Sequence, residues 1–192
     1  MNILKNRVLK ILFFLYVLAI IIGIGTYFFI DSSNINSSII NYINSFNNKF
    51  MFFDGFKNTF IYNFNFSFII WICGILIIGV LICPLMIILR GLGLGITIIS
   101  MIVNFKLKGL ILALITFISN VLLYDIIFIL LCYYGFNMSI RTFKLIKGNL
   151  SINIRSYYKN YFLRYLILLF LLLFTSLFDI YIISNLIKYI II

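Results

Sequence analysis

Of 192 residues, 65% are apolar or aromatic and 10% are charged, where a soluble domain carries about a quarter charged residues; a soluble core would leave the surplus Ile, Leu and Phe on its surface, and a bilayer is the solvent that accommodates them. The 15 Lys and Arg face four acidic residues, all Asp, with no Glu and no His, for a net charge of +11. That inventory excludes a Ser-His-Asp triad, a His-based zinc site, an HExxH motif and a Glu general acid.

Residues 2 to 10 carry Lys5, Arg7 and Lys10 and precede an apolar run, 11–30, of about bilayer-spanning length, roughly 20 residues. No A-x-A cleavage pattern follows, and the segment's one Ala, Ala19, lies in its middle, so the run reads as an uncleaved first transmembrane helix rather than a signal peptide. From 31 to 63 the composition turns to Ser and Asn, yet Ile35, Ile39, Ile43, Phe46, Phe50 and Phe53 recur at steps of three and four. This periodicity predicts an amphipathic helix resting on the membrane interface, with Phe46, Phe50, Phe53, Phe56 and Phe60 as candidates for docking a partner.

Residues 66 to 105 are almost wholly apolar and too long for one crossing. Proline suits the first turn of a helix and fits poorly in its middle, so a tight turn is expected at Cys83-Pro84, between spans 64–82 and 84–105; one kinked helix followed by a re-entrant segment is the alternative. Gly91 and Gly95 form a GxxxG pair, which lets helices approach closely where van der Waals packing drives association. Together with Gly74 and Gly79 they are expected to pack helices, and no P-loop Lys follows them. A fourth span follows Lys108-Gly109 over 109–134, a basic stretch covers 135–161, and a fifth span covers 162–183.

Charge bias decides the threading. Five spans place Lys5, Arg7, Lys10, Arg90, Arg141, Lys144, Lys147, Arg155, Lys159 and Arg164 inside, against Lys49, Lys57, Lys106, Lys108 and Lys188 outside. The expected fold is therefore an all-α integral membrane protein, a single-domain bundle of five transmembrane helices with an inside N-terminus. Arg90 would lie about 9 Å along the third span from Pro84, and Asp125 about 13 Å from Tyr134 on the fourth. Their depths nearly match, and an unpaired intramembrane charge costs several kcal/mol, so the two are expected to face each other within the bundle. Snorkelling of Arg90 to the inner surface is the alternative, and Asn120 could hydrogen-bond across helices.

Asp31, Asp54, Asp125 and Asp179 are scattered rather than paired, and Cys73, Cys83 and Cys132 sit in apolar runs without CxxC spacing. No catalytic residue, metal site or cofactor is expected. The basic stretch interleaves Arg141, Lys144 and Lys147 with Ile140, Phe143 and Ile146, a pattern suited to anionic membrane lipids and not to nucleic acid.

One conjunction of residues resembles a known family. Phe56-Lys57-Asn58-Thr59-Phe60 and Asn63 lead into Trp71-Ile72-Cys73-Gly74 and Gly79, followed by Pro84, Arg90-Gly91, Gly95, Asn104, Lys108-Gly109 and Phe117 through Asn120. In order and spacing, over about residues 56 to 147, these are similar to the stage II sporulation protein M family of endospore-forming bacteria; Asp125 and Asp179 are not part of that pattern. The resemblance implies a non-enzymatic scaffold of the mother-cell septal membrane. Such a scaffold would hold the peptidoglycan-degrading stage II sporulation proteins D and P during forespore engulfment. A permease or channel subunit is the rival expectation, because broken helices and intramembrane charges also mark transport paths.

Overall fold

The computed structural model describes residues 2–29, 51–147 and 154–191. They form α1 (Asn2–Thr26), α2 (Met51–Ile75), α3 (Gly79–Ser119), a π-helical turn at Asn120–Asp125, α4 (Ile126–Ile146) and α5 (Ile154–Ile191), with no strand among the described residues. Four helical stretches are long and apolar enough to cross a membrane: Arg7–Thr26, Phe56–Ile75, Gly79–Ile146 and Arg155–Phe178. Large apolar side chains such as Phe14, Ile21, Leu81, Phe170 and Phe174 stand exposed on the bundle's outside, where water would penalise them and acyl chains would not. Helix length and hydropathy thus make the chain a multi-pass membrane protein.

The break between α2 and α3 falls at Leu76–Ile78, not at Cys83-Pro84. Two glycines bring the chain round: a Cβ on Gly79 would lie 3.0 Å from the Cα of Gly74 and 2.9 Å from the carbonyl carbon of Cys73. The Ser139 hydroxyl lies 2.7 Å from the carbonyl oxygens of both Leu76 and Ile77, and its single O–H, shared between them, serves acceptors that a helix end leaves open. Pro84 sits inside α3, near enough to its start that the missing N–H removes a bond only at the edge of the helix. The outer segment is also redrawn. Residues 51–63 belong to α2, while Ile35, Ile39, Ile43, Phe46 and Phe50 lie outside the described residues.

The 68 residues from Gly79 to Ile146 would reach about 100 Å as one straight helix, far more than a hydrocarbon core of about 30 Å. Lys106 breaks the run with φ 51° and ψ −121°, the first central position of a type II′ turn, where glycine is usual. Past this turn the chain folds back on itself. A Cβ on Gly109 would lie 3.1 Å from the Cα of Ile102, and Thr116 Oγ1 is 3.5 Å from Met101 Sδ.

At the other end, α4 runs on to Ile146 and α5 begins at Ile154. The expected basic loop, 135–161, is therefore mostly the facing ends of two helices.

Residue pairings show how the helices run. Tyr16, Ile20 and Ile24 on α1 meet Gly91 and Gly95 in rising order, so α1 and α3 are parallel. Ile70 and Gly74 on α2 meet Gly135, as Phe66 meets Phe128, so α2 and α4 are parallel as well. Arg90 pairs with Asp125 and Cys83 lies against Gly135, which sets α4 antiparallel to α3. The α1–α3 seam is built on small residues. Gly91 would place a Cβ 2.8 Å from that of Ala19, and Gly95 would place one 3.1 Å from the Cα of Gly23. Ser67, Ser100 and Ser176 are buried at helix contacts, each donating back to its own helix, which keeps hydroxyls satisfied in an apolar bundle. Leu12, Ile70, Cys83, Tyr124, Phe128, Cys132, Leu168 and Leu172 form the core around which the five helices close.

Candidate polar centre of the bundle

Arg90 lies 11 residues into α3 from Gly79, about 16 Å along the axis and near the middle of a hydrocarbon core. Its Nε donates to Asp125 Oδ1 at 2.9 Å. Its Nη1 donates to Asn63 Oδ1 at 2.9 Å. The other carboxylate oxygen, Oδ2, accepts from the Tyr16 hydroxyl. Four elements thus contribute one side chain each: Tyr16 from α1, Asn63 from α2, Arg90 from α3 and Asp125 from the π turn. Asp125 is 1% exposed, Asn63 2%, and the Arg90 side chain 13%.

The aromatic surroundings complete the enclosure. The Arg90 guanidinium carbon stands 4.4 Å from the Phe128 ring centroid and 5.9 Å from that of Tyr124, so the cation's face is covered by π density as well as its edge by acceptors. A gap lined by Tyr16, Phe66, Ile70, Met86, Phe128 and Cys132 among others measures about 10 Å³, room for at most one water, and an apolar cleft of about 210 Å³ between α1 and the π turn, walled by Leu9, Phe13, Val121 and Ile126, reaches Tyr16 and Asp125. In such a dry site each charge depends on the other: removing one leaves a desolvated, uncompensated ion.

Sequence reasoning placed Arg90 opposite Asp125, and the geometry puts them in direct contact. It did not single out Tyr16 or connect Asn63 with this pair. A polar atom at matched depth on each of α1 and α2 was the available signal. Asn120 bonds its own helix, donating to the Thr116 carbonyl at 3.0 Å, so the anticipated cross-helix bond is replaced by a local one. Gly91 and Gly95 pack against α1, while Gly74 and Gly79 meet at the α2–α3 turn, where a Cβ on Gly74 would also come 2.7 Å from the Cα of Gly135. All four are used within the chain.

The docking candidates divide. Phe46 and Phe50 lie outside the described residues, as does the side chain of Phe53. Phe56 and Phe60 begin a ladder along α2, with ring centroids 5.8 Å apart, continuing to Phe64 at 6.0 Å and Phe68 at a further 5.9 Å. The i,i+4 spacing stacks one ring per turn. Phe56, Phe60 and Phe64 are half-buried and Phe68 is exposed, so the ladder holds α2 on one edge and shows an aromatic strip on the other. Among the described residues no cluster of Cys, Asp, Glu or His is arranged to hold a metal. No family model, curated protein or solved structure matches the chain.

Proposed function

We propose that this chain is a non-enzymatic membrane scaffold of the stage II sporulation protein M kind, anchoring and localising peptidoglycan-degrading proteins similar to stage II sporulation proteins D and P at the septal membrane during forespore engulfment. The observation that carries the reading is the use made of the residues behind the resemblance. Asn63 and Arg90 enter the buried polar centre, while Gly74, Gly79, Gly91, Gly95 and Gly109 all sit where a Cβ would collide with packed backbone, as one also would at Gly23, which lies outside the resemblance. Those residues build a rigid frame, which leaves its outer aromatic strip from Phe56 to Phe68 for partners.

In this reading the chain crosses the bilayer five times, the hairpin at Lys106 dividing the long third stretch into two crossings, with the N-terminus inside. The alternating helix directions support it. They gather Leu76–Ile78, Arg141, Lys144, Lys147, Arg155 and Lys159 at one end and Lys106 and Lys108 at the other. Arg90 drops out of the tally because it lies at mid-depth, and the inner excess survives without it.

Co-purification tests the scaffold. Detergent extracts of sporulating cells should yield a cell-wall hydrolase with the tagged chain, and deletion of the chain should disperse that hydrolase from the septum. Extracts without any hydrolase, together with unchanged localisation in the deletion strain, overturn the proposal. A permease subunit would need a hydrated path past Arg90 and Asp125; the gap beside Arg90 is about 10 Å³, and the cleft of about 210 Å³ that reaches Asp125 is walled by apolar side chains such as Leu9, Phe13 and Leu130, which give water few partners. Solute flux in proteoliposomes above the protein-free leak would reverse that preference.

A further inference from the structure

A second polar feature lies away from the buried centre. Between the end of α4 and the start of α5 a cleft of about 230 Å³ is lined by Tyr133, Tyr134, Asn137, Arg141, Tyr157, Asn160, Tyr161 and Arg164. Arg141 comes from α4 and Arg164 from α5, and because the helices are antiparallel here each arginine is held over a tyrosine of the other. The Arg141 guanidinium carbon is 4.8 Å from the Tyr157 ring centroid, and that of Arg164 is 5.0 Å from Tyr134. Such stacking orients a guanidinium while leaving its N–H edge free to donate. Among the described residues the one ion pair is Arg90 with Asp125, so no described carboxylate pairs with either arginine of the cleft.

The position matters as much as the charge. Tyr161, on the cleft wall, donates to the Trp71 carbonyl at 3.1 Å near the end of α2. The cleft is therefore level with the end of the bundle that gathers the basic residues. Arg164 lies within the apolar stretch Arg155–Phe178, where an unpaired cation is costly. Phe162, Leu163, Leu166 and Ile167 flank it, all exposed, and would meet acyl chains. A volume of about 230 Å³ is below the usual range for enclosing a whole ligand. It suits a phosphodiester with its glycerol, the tails staying outside along α5.

We propose that this cleft binds the phosphate headgroup of an anionic membrane lipid, with Arg141 and Arg164 donating to the phosphate oxygens and Asn137, Asn160 and the hydroxyls of Tyr134 and Tyr157 completing the site. Basic pockets between transmembrane helices take such headgroups on electrostatic and hydrogen-bonding grounds. The inference rests on the helices lying in a bilayer and is independent of the scaffold reading, so hydrolase co-purification does not bear on it.

Native mass spectrometry of the full chain in detergent provides the test, with phosphatidylglycerol and cardiolipin as probes against phosphatidylcholine and inorganic phosphate. Saturable binding of an anionic lipid is expected, weakened about tenfold or more in the R141Q/R164Q double variant and less than about threefold in K144Q, which removes one exposed charge beside the cleft. Equal weakening by K144Q and by either cleft substitution would show diffuse attraction and overturn the site. Displacement of the lipid by inorganic phosphate at equal concentration would overturn the lipid assignment. A photoreactive phosphatidylglycerol on the unaltered chain gives a readout free of folding effects. Adducts should concentrate at 133–141 and 157–164, and an even spread over α1 and α3 would refute the proposal.

Discussion

Replacing Arg90 with Met leaves Asp125, 1% exposed, with Tyr16 as its one remaining hydrogen-bond donor of the two it has now. Asn63 loses its partner in the same step. Stranding one member of a buried ion pair costs about 3–5 kcal/mol, and the orphaned Asn63 carbonyl adds about 1 kcal/mol. Asp125→Leu should cost less, about 2–3 kcal/mol, because Arg90 keeps Asn63 and the Phe128 ring. The double variant R90M/D125L removes both charges and fills the site with apolar volume, which is often close to neutral for a buried pair. It should therefore be more stable than R90M, and the cycle should give a coupling of about 3 kcal/mol or more. Unfolding of the purified chain in mixed micelles by increasing denaturing detergent measures each corner. Strict additivity, with the double variant losing the sum of the two single losses, would show that the residues do not act as a pair and would refute the reasoning. The same variant separates structure from the proposed function: on the scaffold proposal, a stable R90M/D125L chain that localises hydrolase as the unaltered chain does would assign the polar centre to the frame alone.

Three more perturbations follow from the helix contacts. Gly95→Ala pushes a methyl toward the backbone of Ile24 and Gly23, 3.0 and 3.1 Å from its Cβ position, and should destabilise by about 1–3 kcal/mol, read in the same detergent titration; Gly93→Ala, where nothing lies within 4 Å, is the neutral control. Lys106→Gly relieves the positive φ of 51° and should stabilise the hairpin by about 1 kcal/mol, visible as slower proteolysis at the turn; faster cleavage would contradict the turn assignment. Cysteine placed at Lys106 or at Lys147 should react with a membrane-impermeant maleimide from opposite faces of intact cells, Lys106 from outside. Labelling of both from one face would exclude five crossings.

Composition reached the solvent and the helical class directly, because no soluble fold hides so much Ile and Phe. Depth counting along two spans was enough to pair Arg90 with Asp125, since a cation and an anion at one level in hydrocarbon have few alternatives. The turn near residue 77 was harder to see. Proline is the louder punctuation mark, whereas the reversal depends on Gly74, Gly79 and Ser139 meeting in space, a tertiary fact that no local pattern contains. Tyr16 was obscured for a related reason. In an apolar run a tyrosine reads as bulk or as an interfacial anchor, and its hydroxyl acquires meaning only once α1 is laid beside Asp125. Asn63, although part of the family-like pattern, had no partner until α2 and α3 were set side by side.

The π turn at Asn120–Asp125 also bears on how this sequence can change. A π turn holds one residue more than the α-helix it interrupts, and one residue corresponds to a rotation of about 100° about the axis. Before it, Gly109 packs on Met101 and Ile102; after it, Phe128 meets Phe66 of α2, and Gly135 meets Gly74 of α2 and Cys83 near the beginning of α3. Chain length in this stretch is thus a phase setting. Substitutions there act where they fall, whereas deletion of a single residue would turn α4 as a whole and carry Asp125 away from Arg90. Homologous chains should therefore vary between Asn120 and Asp125 by exchange of side chains and not by gain or loss of residues.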